Sequence, residues 1–154
     1  MSPAEFADIY GRVPRLTVEL VVTTPDGLVL TRRSIEPCKG QWHLPGGTVL
    51  FAETLPDAVR RVARHELGVG VEVGRLLGYI EYPLMLRAGY PGWPVGIAFE
   101  TRIVDGDLVP AAQSDEVGIF AALPPDVIAE QSGFLRSLLG GSVVPPGGTL
   151  LTSG

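Results

Sequence analysis

The order of the predicted strands and helices favours an α+β fold, in which a mixed sheet lies between helices. After a short N-terminal helix, two apolar segments joined by a turn are followed by one amphipathic helix, and two long strands, a short strand and a last helix complete the order. The length of 154 residues fits one domain, and the apolar fraction of 45% suffices for a sizeable core. We predict one domain over residues 1–139 and a flexible tail over residues 140–154.

Local signals justify each element in turn. A helix begins at Pro3 because Ser2 can cap it, and Pro25-Asp26-Gly27 predicts a tight turn between the first two strands. Thr54 caps the amphipathic helix, and Gly68 ends it. In chain order the predicted elements are a helix from residue 3, strands over 16–23 and 28–31, a loop over 34–47, a helix over 55–67, strands over 69–82, 95–104 and 117–120 with a loop over 83–94 between the first two, and a last helix over 124–139.

Composition and charge exclude several classes of protein. A net charge of -5 argues against nucleic acid as the main partner, although a nucleotide can still be held through a metal ion and a few arginines. Cys38 is the only cysteine, so the chain forms no internal disulfide and no Cys-rich zinc site. Because neither a leader pattern nor an apolar stretch of about 20 residues is visible, we expect no membrane span and a cytoplasmic location.

Residues 40–69 carry a motif with fixed spacing. The pair Gly46-Gly47 is followed after five residues by Glu53, and after seven more by Arg61, in the helix that Gly68 ends. The pattern resembles the Nudix signature, which it matches at Gly40, Trp42, Pro45, Gly46, Gly47, Glu53, Arg61, Ala63, Glu66, Gly68 and Val69. The resemblance implies a Nudix-like α/β/α sandwich that hydrolyses a nucleoside diphosphate linked to another moiety, with Mg²⁺ as cofactor or Mn²⁺ in its place. It also implies that Glu53 and Arg61 brace the loop against the helix.

Two positions of the signature lack their carboxylate. Val62 and His65 stand where the signature has glutamates, which leaves Glu66 as the acid on that face of the helix. One carboxylate can hold a single Mg²⁺ when phosphate and backbone oxygens help, but it cannot hold a cluster of two or three ions. We expect Val62 to belong to the core. His65 is expected to be structural or to contact substrate, because Mg²⁺ prefers oxygen ligands.

The gaps are similar to those of the GDP-mannose mannosyl hydrolases within this family. In that branch one magnesium ion is held by the carbonyl of the first box glycine, by the last helix glutamate and by a loop glutamine, which correspond to Gly46, Glu66 and Gln113. An arginine corresponding to Arg33 contacts the diphosphate, and an acidic residue in the first strand corresponds to Glu19. The branch attacks the sugar carbon and is dimeric, so the resemblance implies a homodimer and a nucleotide sugar as substrate.

The general base of that branch is missing here. It is a histidine directly after the loop glutamine, where this chain has Ser114, whose hydroxyl cannot act as a base near neutral pH. Asp115 and Glu116 are candidates to replace it, or they form a solvated turn before a strand. His43 is a further candidate, and its alternative is packing beside Trp42. The predicted catalytic residues are Glu66, Glu116 and Arg33.

Substrate contacts are predicted on the first strand and in the long loop. Glu19 lies inside an apolar strand, and a buried carboxylate needs a partner or a proton, so Glu19 is either a site residue or the partner of Arg33. Trp93 and Tyr90 can stack on a base or sugar, or they clamp the loop onto the core. The predicted substrate-binding residues are Arg33, Glu19 and Trp93.

Three hypotheses follow from these patterns. The first is a hydrolase of a small-molecule nucleotide that uses a single Mg²⁺ ion. The second is a Nudix-fold nucleotide-binding or regulatory domain that has lost catalysis, because two box glutamates and the histidine base are absent. The third is a dimer scaffold without a nucleotide ligand. Release of phosphate or nucleotide over a long incubation separates the first hypothesis from the second.

Overall fold

The computed structural model describes residues 1–108 and 114–139. Its strands are β1 Arg15–Thr24, β2 Gly27–Arg33, β3 Trp42–His43, β4 Gly46–Thr48, β5 Gly70–Glu81, β6 Pro94–Asp105 and β7 Ser114–Phe120. Its helices are α1 Pro3–Tyr10, α2 Leu55–Val62, α3 Pro83–Arg87 and α4 Ala129–Leu139, and a π-helical turn over Ala63–Leu67 continues α2. The α+β class and the mixed sheet are confirmed.

The seven strands form one sheet with a single parallel pairing among its described strands. Five of them follow the order β3-β2-β1-β6-β5, while β4 pairs with β1 and β7 pairs with β2. Strands β1 and β6 run parallel over Arg15–Thr23, and the other named pairings are antiparallel. This arrangement places β1 in the middle of the sheet, where its side chains are buried on both faces.

Alternation along β1 divides the core into two clusters. Val18, Leu20 and Val22 pack with Val59 of α2 on one face of the sheet. Val21 belongs to the cluster on the other face, which includes Leu135 of α4. The sheet therefore lies between α2 and α4. Glu19 has the same parity as Val21, so its side chain lies on the α4 face.

The ends of the central helix follow the predicted signals. The Thr54 hydroxyl accepts a hydrogen bond from the Asp57 amide, and Gly68 has the left-handed conformation (φ 71°) that glycine adopts without strain. The predicted α-helix over residues 55–67 is regular only as far as Val62. From Ala63 to Leu67 the backbone forms a π-helical turn, a wider turn that is often found at functional sites.

Three predicted boundaries are wrong, each because of a contact distant in sequence. The predicted loop over residues 34–47 contains β3 and β4, which pair with β2 and β1. The predicted loop over residues 83–94 contains α3, which Pro83 begins. The last helix begins at Ala129 rather than Pro124, since the Asp126 carbonyl accepts from the Trp42 amide (2.8 Å) and the Ile128 amide donates to the Trp42 carbonyl (2.9 Å). None of the helices in the described part is both long and apolar enough to span a bilayer.

Candidate functional site

A small cavity lies beside the start of β1, on the α4 face of the sheet. Its volume is about 150 Å³. Charged and polar groups come from β1, β2, β3, Tyr82 and α4, and apolar side chains close its remaining walls. The lining residues are Arg15, Thr17, Glu19, Arg33, His43, Leu44, Gly46, Gly47, Tyr82, Met85, Tyr90, Pro94, Ile128 and Gln131. Of the predicted site residues it brings together Glu19, Arg33, Gly46 and Gly47.

Glu19 is held in this cavity by a chain of hydrogen bonds. Its Oε1 atom accepts from the Tyr82 hydroxyl at 3.0 Å and from the Thr17 hydroxyl at 3.2 Å. The Gln131 side-chain amide donates to the Tyr82 oxygen at 2.9 Å, and the Gln131 carbonyl accepts from the Leu44 amide at 2.6 Å. The carboxylate therefore finds its partners on β1 and at Tyr82, the residue between β5 and α3. Arg33, the partner predicted as an alternative, forms no ion pair with it in the described part of the chain.

Two glycines make room for the Glu19 carboxylate. A Cβ atom on Gly46 would lie 2.4 Å from Glu19 Oε2, and one on Gly96 would lie 2.6 Å from both Cγ and Oε1 of Glu19. The side chain is only 7% exposed. Its burial raises the pKa of Glu19 to about 7, while the bonds from Tyr82 and Thr17 and the charge of Arg15 act in the opposite direction. The carboxyl group is thus poised between its two protonation states near neutral pH.

His43 faces the same cavity from β3. Its Nδ1 atom lies 2.8 Å from the Leu44 carbonyl, so a neutral ring with hydrogen on Nδ1 donates there. Burial lowers the pKa of His43, and the charge of Arg33 lowers it further. Nε2 lies 3.3 Å from the Thr31 hydroxyl. His43 is therefore a neutral imidazole near neutral pH. Its neighbour Trp42 packs edge-to-face on Phe120, with the ring centroids 4.8 Å apart.

Glu53 and Arg61 join the glycine-bearing segment to the central helix. Arg61 donates from Nε to Glu53 Oε1 at 2.7 Å and from Nη2 to Oε2 at 3.0 Å, a bidentate pair. The same Nη2 donates to the Thr48 carbonyl at 2.7 Å, and the Leu50 amide donates to Glu53 Oε2 at 2.9 Å. Arg61 lowers the pKa of Glu53. These four bonds fix the segment that follows Gly46-Gly47 relative to α2.

Val62 and Glu66 occupy two of the acidic positions of the signature. Val62 is 2% exposed, and its Cγ2 atom would lie 2.9 Å from a Cβ on Gly47, so it packs α2 onto β4. Glu66 lies in the π-helical turn with a side chain 14% exposed. Within the described residues no hydrogen bond reaches its carboxylate, and the Nε2 atom of His65 lies 3.9 Å from its Oε1 atom. Burial therefore raises the pKa of Glu66.

Two other predicted site residues, Glu116 and Trp93, do not line the cavity. Glu116 is exposed and pairs with Arg32 at 2.7 Å. Trp93 lines a separate cleft of about 480 Å³, in which Tyr10 is a second aromatic wall and Tyr90 is shared with the cavity. Gln113 falls outside the described residues, as do the side chain of Asp115 and the predicted tail over residues 140–154.

The family model of the NUDIX domain matches residues 13–137, which is most of the chain. The chain belongs to the Nudix family. The Nudix box over residues 40–69 and the sheet between α2 and α4 agree with this assignment, and the predicted family is confirmed. The correspondence with the GDP-mannose branch stays a prediction.

Two relatives and two solved structures are similar to this Nudix chain. It is 45% identical over 78 residues to the low-salt glycan biosynthesis protein Agl8 of Haloferax volcanii, and the matched segment covers 51% of this chain and 50% of that protein. It is 29% identical over 107 residues to an ADP-ribose pyrophosphatase of Methanocaldococcus jannaschii, which covers 70% of this chain and 62% of that protein. The matched segments therefore span only half to somewhat under two thirds of these relatives.

A MutT NUDIX hydrolase from Burkholderia pseudomallei has the same fold, with a TM-score of 0.71 at 24% identity over 80% of this chain and 97% of that one. A NUDIX hydrolase from Nitrosomonas europaea has a TM-score of 0.63 at 26% identity, over 75% of this chain and 63% of that one. The fold class predicted from the order of elements is the fold of these Nudix structures.

The donors of this Nudix box fit one divalent ion and not a cluster. No group of three His, Cys, Asp or Glu side chains among the described residues is arranged to hold a metal. Glu66 lies on a side chain that is 14% exposed, and its carboxylate accepts no hydrogen bond from the described residues, so its oxygens are available to a hard cation. Backbone oxygens near Gly46-Gly47, phosphate oxygens and water would complete the coordination. The donor set therefore fits a single Mg²⁺ bound together with substrate.

Several residues of the cavity carry no signal in the sequence. Arg15 precedes an apolar strand, Tyr82 ends one, and Gln131 lies in a helix with no motif around it. These residues come to lie beside Glu19 and the cavity only in the folded chain. A signal that the sequence does offer is Gly96, which interrupts the apolar residues of β6. In the fold this glycine leaves space for the Glu19 side chain.

Proposed function

We propose that this chain hydrolyses a nucleoside diphosphate linked to a second moiety, such as a nucleotide sugar, with a single Mg²⁺ ion. The observation that carries the proposal is Glu66, a largely buried carboxylate without a hydrogen bond from the described residues, in a turn that follows the helix packed on Gly47. The pyrophosphatase relative and family membership support a hydrolase. The glycan biosynthesis relative supports a sugar-bearing substrate. We also propose a cytoplasmic location and a homodimer, as expected from the sequence and from the resemblance.

Glu66, the Gly46 carbonyl and Gln113 would hold the ion, which would neutralise charge on the diphosphate. Glu53 and Arg61 would keep the glycine segment in place through their four bonds. Arg33 lines the cavity and would contact the diphosphate. Trp93 would contact the nucleoside from the adjoining cleft, because Tyr90 forms a wall common to both spaces.

The cavity offers better candidates than Glu116 for the group that activates the attacking water. Glu116 forms an ion pair with Arg32 at the surface, so its carboxylate is occupied by that cation. His43 is a neutral imidazole at the cavity wall, and Glu19 presents Oε2 there without a hydrogen bond from the described residues. We propose that one of these two groups accepts the proton of the attacking water. Glu116→Gln is then expected to retain most of the activity, whereas His43→Ala or Glu19→Gln loses it.

A second candidate function is nucleotide binding without catalysis. The observation in its favour is Val62, whose side chain fills the space beside Gly47 where the signature has a carboxylate. With this side chain buried in the core, the helix contributes one acid from the box. This alternative predicts a ligand-induced rise in melting temperature with no product formed.

Hydrolysis of a panel of nucleotide sugars and ADP-ribose in Mg²⁺ tests the two candidates. We expect turnover that requires the divalent ion and that Glu66→Gln lowers by a factor of about 100 or more, as loss of a transition-state charge contact does. Glu81→Gln, an exposed glutamate on β5, is the matched control and should retain full activity. A rise in melting temperature without turnover would establish the binding domain. Turnover unaffected by Glu66→Gln would refute the proposed metal site.

A further inference from the structure

The two arginines that line the cavity form no ion pair with a carboxylate of the described residues. Among those residues, seven other arginines do form ion pairs with Asp or Glu. Among the half-buried arginines, Arg61 pairs with Glu53, but Arg15 and Arg33 pair with no carboxylate in the described part of the chain. The charge of Arg15 acts on Glu19, whose pKa it lowers, but neither Arg15 nor Arg33 forms an ion pair with that carboxyl group among the described residues. A half-buried guanidinium without an ion pair is partly removed from water, which is unfavourable. An anion in the cavity would supply the missing charge.

Contacts with neutral groups hold both guanidinium groups in place. Arg15 donates from Nη1 to the Thr48 hydroxyl at 2.9 Å and from Nη2 to the Tyr90 hydroxyl, and Arg33 donates from Nε to the Pro37 carbonyl. Both guanidinium carbons lie 5.9 Å from the centroid of the Tyr90 ring, so they are at most twice that distance apart. A guanidinium has five N–H donors, so each keeps several for a ligand.

We propose that Arg15 is a second diphosphate-binding residue, which acts together with Arg33 across Tyr90 on the same anion. The inference rests on the proposed function, because it assigns the diphosphate of that substrate to this cavity. Arg15 reaches the Thr48 side chain from β1, directly after the Gly46-Gly47 pair of the box.

The pair fits a diphosphate better than a single phosphate. Arg binds phosphate oxygens in a planar, bidentate manner, and two separate guanidinium groups can each engage one phosphate of a diphosphate. Both guanidinium groups lie against the Tyr90 ring, and Arg15 also donates to its hydroxyl, so they are partly ordered before an anion binds. This order reduces the entropy lost on binding. Arg15 is therefore expected to determine whether the site distinguishes diphosphate from monophosphate.

Binding of inorganic pyrophosphate in EDTA, measured by calorimetry, tests this role without metal or hydrolysis. We expect wild type to bind pyrophosphate more tightly than phosphate, and Arg15→Gln to weaken pyrophosphate binding by a factor of about 10 to 100. Arg15→Lys retains the charge without the planar donors and should show an intermediate loss. Because both residues would contact one anion, the losses from Arg15→Gln and Arg33→Gln should not add in the double variant.

Arg60→Gln is the matched control, because Arg60 is exposed and pairs with Asp57 outside the cavity. It should leave pyrophosphate binding unchanged. Melting temperatures of all variants separate a folding defect from a lost contact, and Arg15→Lys decides the matter if Arg15→Gln does not fold. Equal pyrophosphate affinity in wild type and either Arg15 variant, or no binding by wild type, would overturn the proposal. Arginine-dependent binding by a protein that hydrolyses nothing would support this inference while refuting the proposed activity.

Discussion

The Tyr82 hydroxyl, directly after β5, donates a 3.0 Å hydrogen bond to Oε1 of Glu19 in β1. The contact joins two residues that are separated by 63 positions in the chain. It gives a buried acid a neutral partner in place of a cation, so the acid remains close to its titration point near neutral pH. Stability and chemistry at the cavity therefore depend on the same carboxyl group.

The protonation of Glu19 should appear in the pH dependence of stability. Its pKa of about 7 in the folded protein lies above the ordinary value of 4.5, so the folded state binds the proton more tightly than the unfolded chain. The stability that this proton contributes is present in full below pH 4.5 and is lost as pH rises through about 7. Since a tenfold change in proton affinity equals about 1.4 kcal/mol, the loss is on the order of 3 kcal/mol.

Urea unfolding of wild type and Glu19→Gln between pH 5 and 8, in EDTA, measures this effect. We expect the free energy of unfolding of wild type to fall relative to the variant as pH rises. The contributions of other groups, such as His43, largely cancel in the difference. A difference that stays constant over this range would show that Glu19 does not titrate there.

Tyr82→Phe should destabilise the protein and raise the pKa of Glu19. The substitution removes the donor to Glu19 and the acceptor for the Gln131 amide, and both groups are buried. The expected loss is about 1–3 kcal/mol in the free energy of unfolding, and the pH midpoint of the Glu19 effect should move upward. Tyr79→Phe, in β5, is the control. Tyr79 is 66% exposed, so its loss should stay within about 0.5 kcal/mol.

Arg61 should contribute more to stability than its neighbour Arg60. Arg61→Gln breaks the bidentate pair with Glu53 and the bond to the Thr48 carbonyl, whereas Arg60→Gln breaks an exposed pair with Asp57. Because Arg61 is itself partly exposed, we expect a loss of about 1 kcal/mol, against roughly 0.3 kcal/mol for Arg60→Gln.

The Glu53 pair also predicts a response to acid. Arg61 lowers the pKa of Glu53, so the stability from this pair is present above the ordinary value of 4.5 and is lost as pH falls below it. Arg61→Gln should remove that loss on acidification, as chemical unfolding between pH 3 and 6 can measure. If Arg60→Gln and Arg61→Gln behave alike, the bidentate pair does not brace the loop.

Gly96→Ala should destabilise the protein because the space beside it is occupied by Glu19. The new Cβ would lie 2.6 Å from two Glu19 atoms, so the carboxyl group would have to move. We expect a cost of about 1–3 kcal/mol by thermal or urea unfolding. Gly133→Ala is the opposite case. That residue lies within α4 with open space around its Cβ position, so alanine should stabilise the protein by about 1 kcal/mol.

Much of the fold could be predicted because its signals are local. The apolar strand that became β1, the Pro25-Asp26-Gly27 turn, the Thr54 cap and the Gly68 helix end each depend on neighbouring residues. The two strands β3 and β4 could not be predicted in this way. They are short, and pairing with distant strands determines their conformation rather than their own residue types.

The candidate site divides along the same line. Glu53, Arg61 and Glu66 could be selected from fixed spacing, since one helix and the segment before it carry them all. The hydrogen-bond chain from Gln131 through Tyr82 to Glu19 could not, because it joins α4, the end of β5 and β1. The unusual feature visible in the sequence was the acid in β1, and its partner proved to be a phenol and not the arginine that charge alone suggests.

The π-helical turn over Ala63–Leu67 also bears on how this protein can be redesigned. Idealising that turn to a regular helix by removing one residue would rotate everything beyond the deletion by about 100°. Glu66 would then point to a different neighbour, and so would Leu67, which is fully buried in the core cluster of Val59. The wider turn therefore sets the direction of the acid and the position of a core residue together, so a design that regularises the helix has to repack this part of the core.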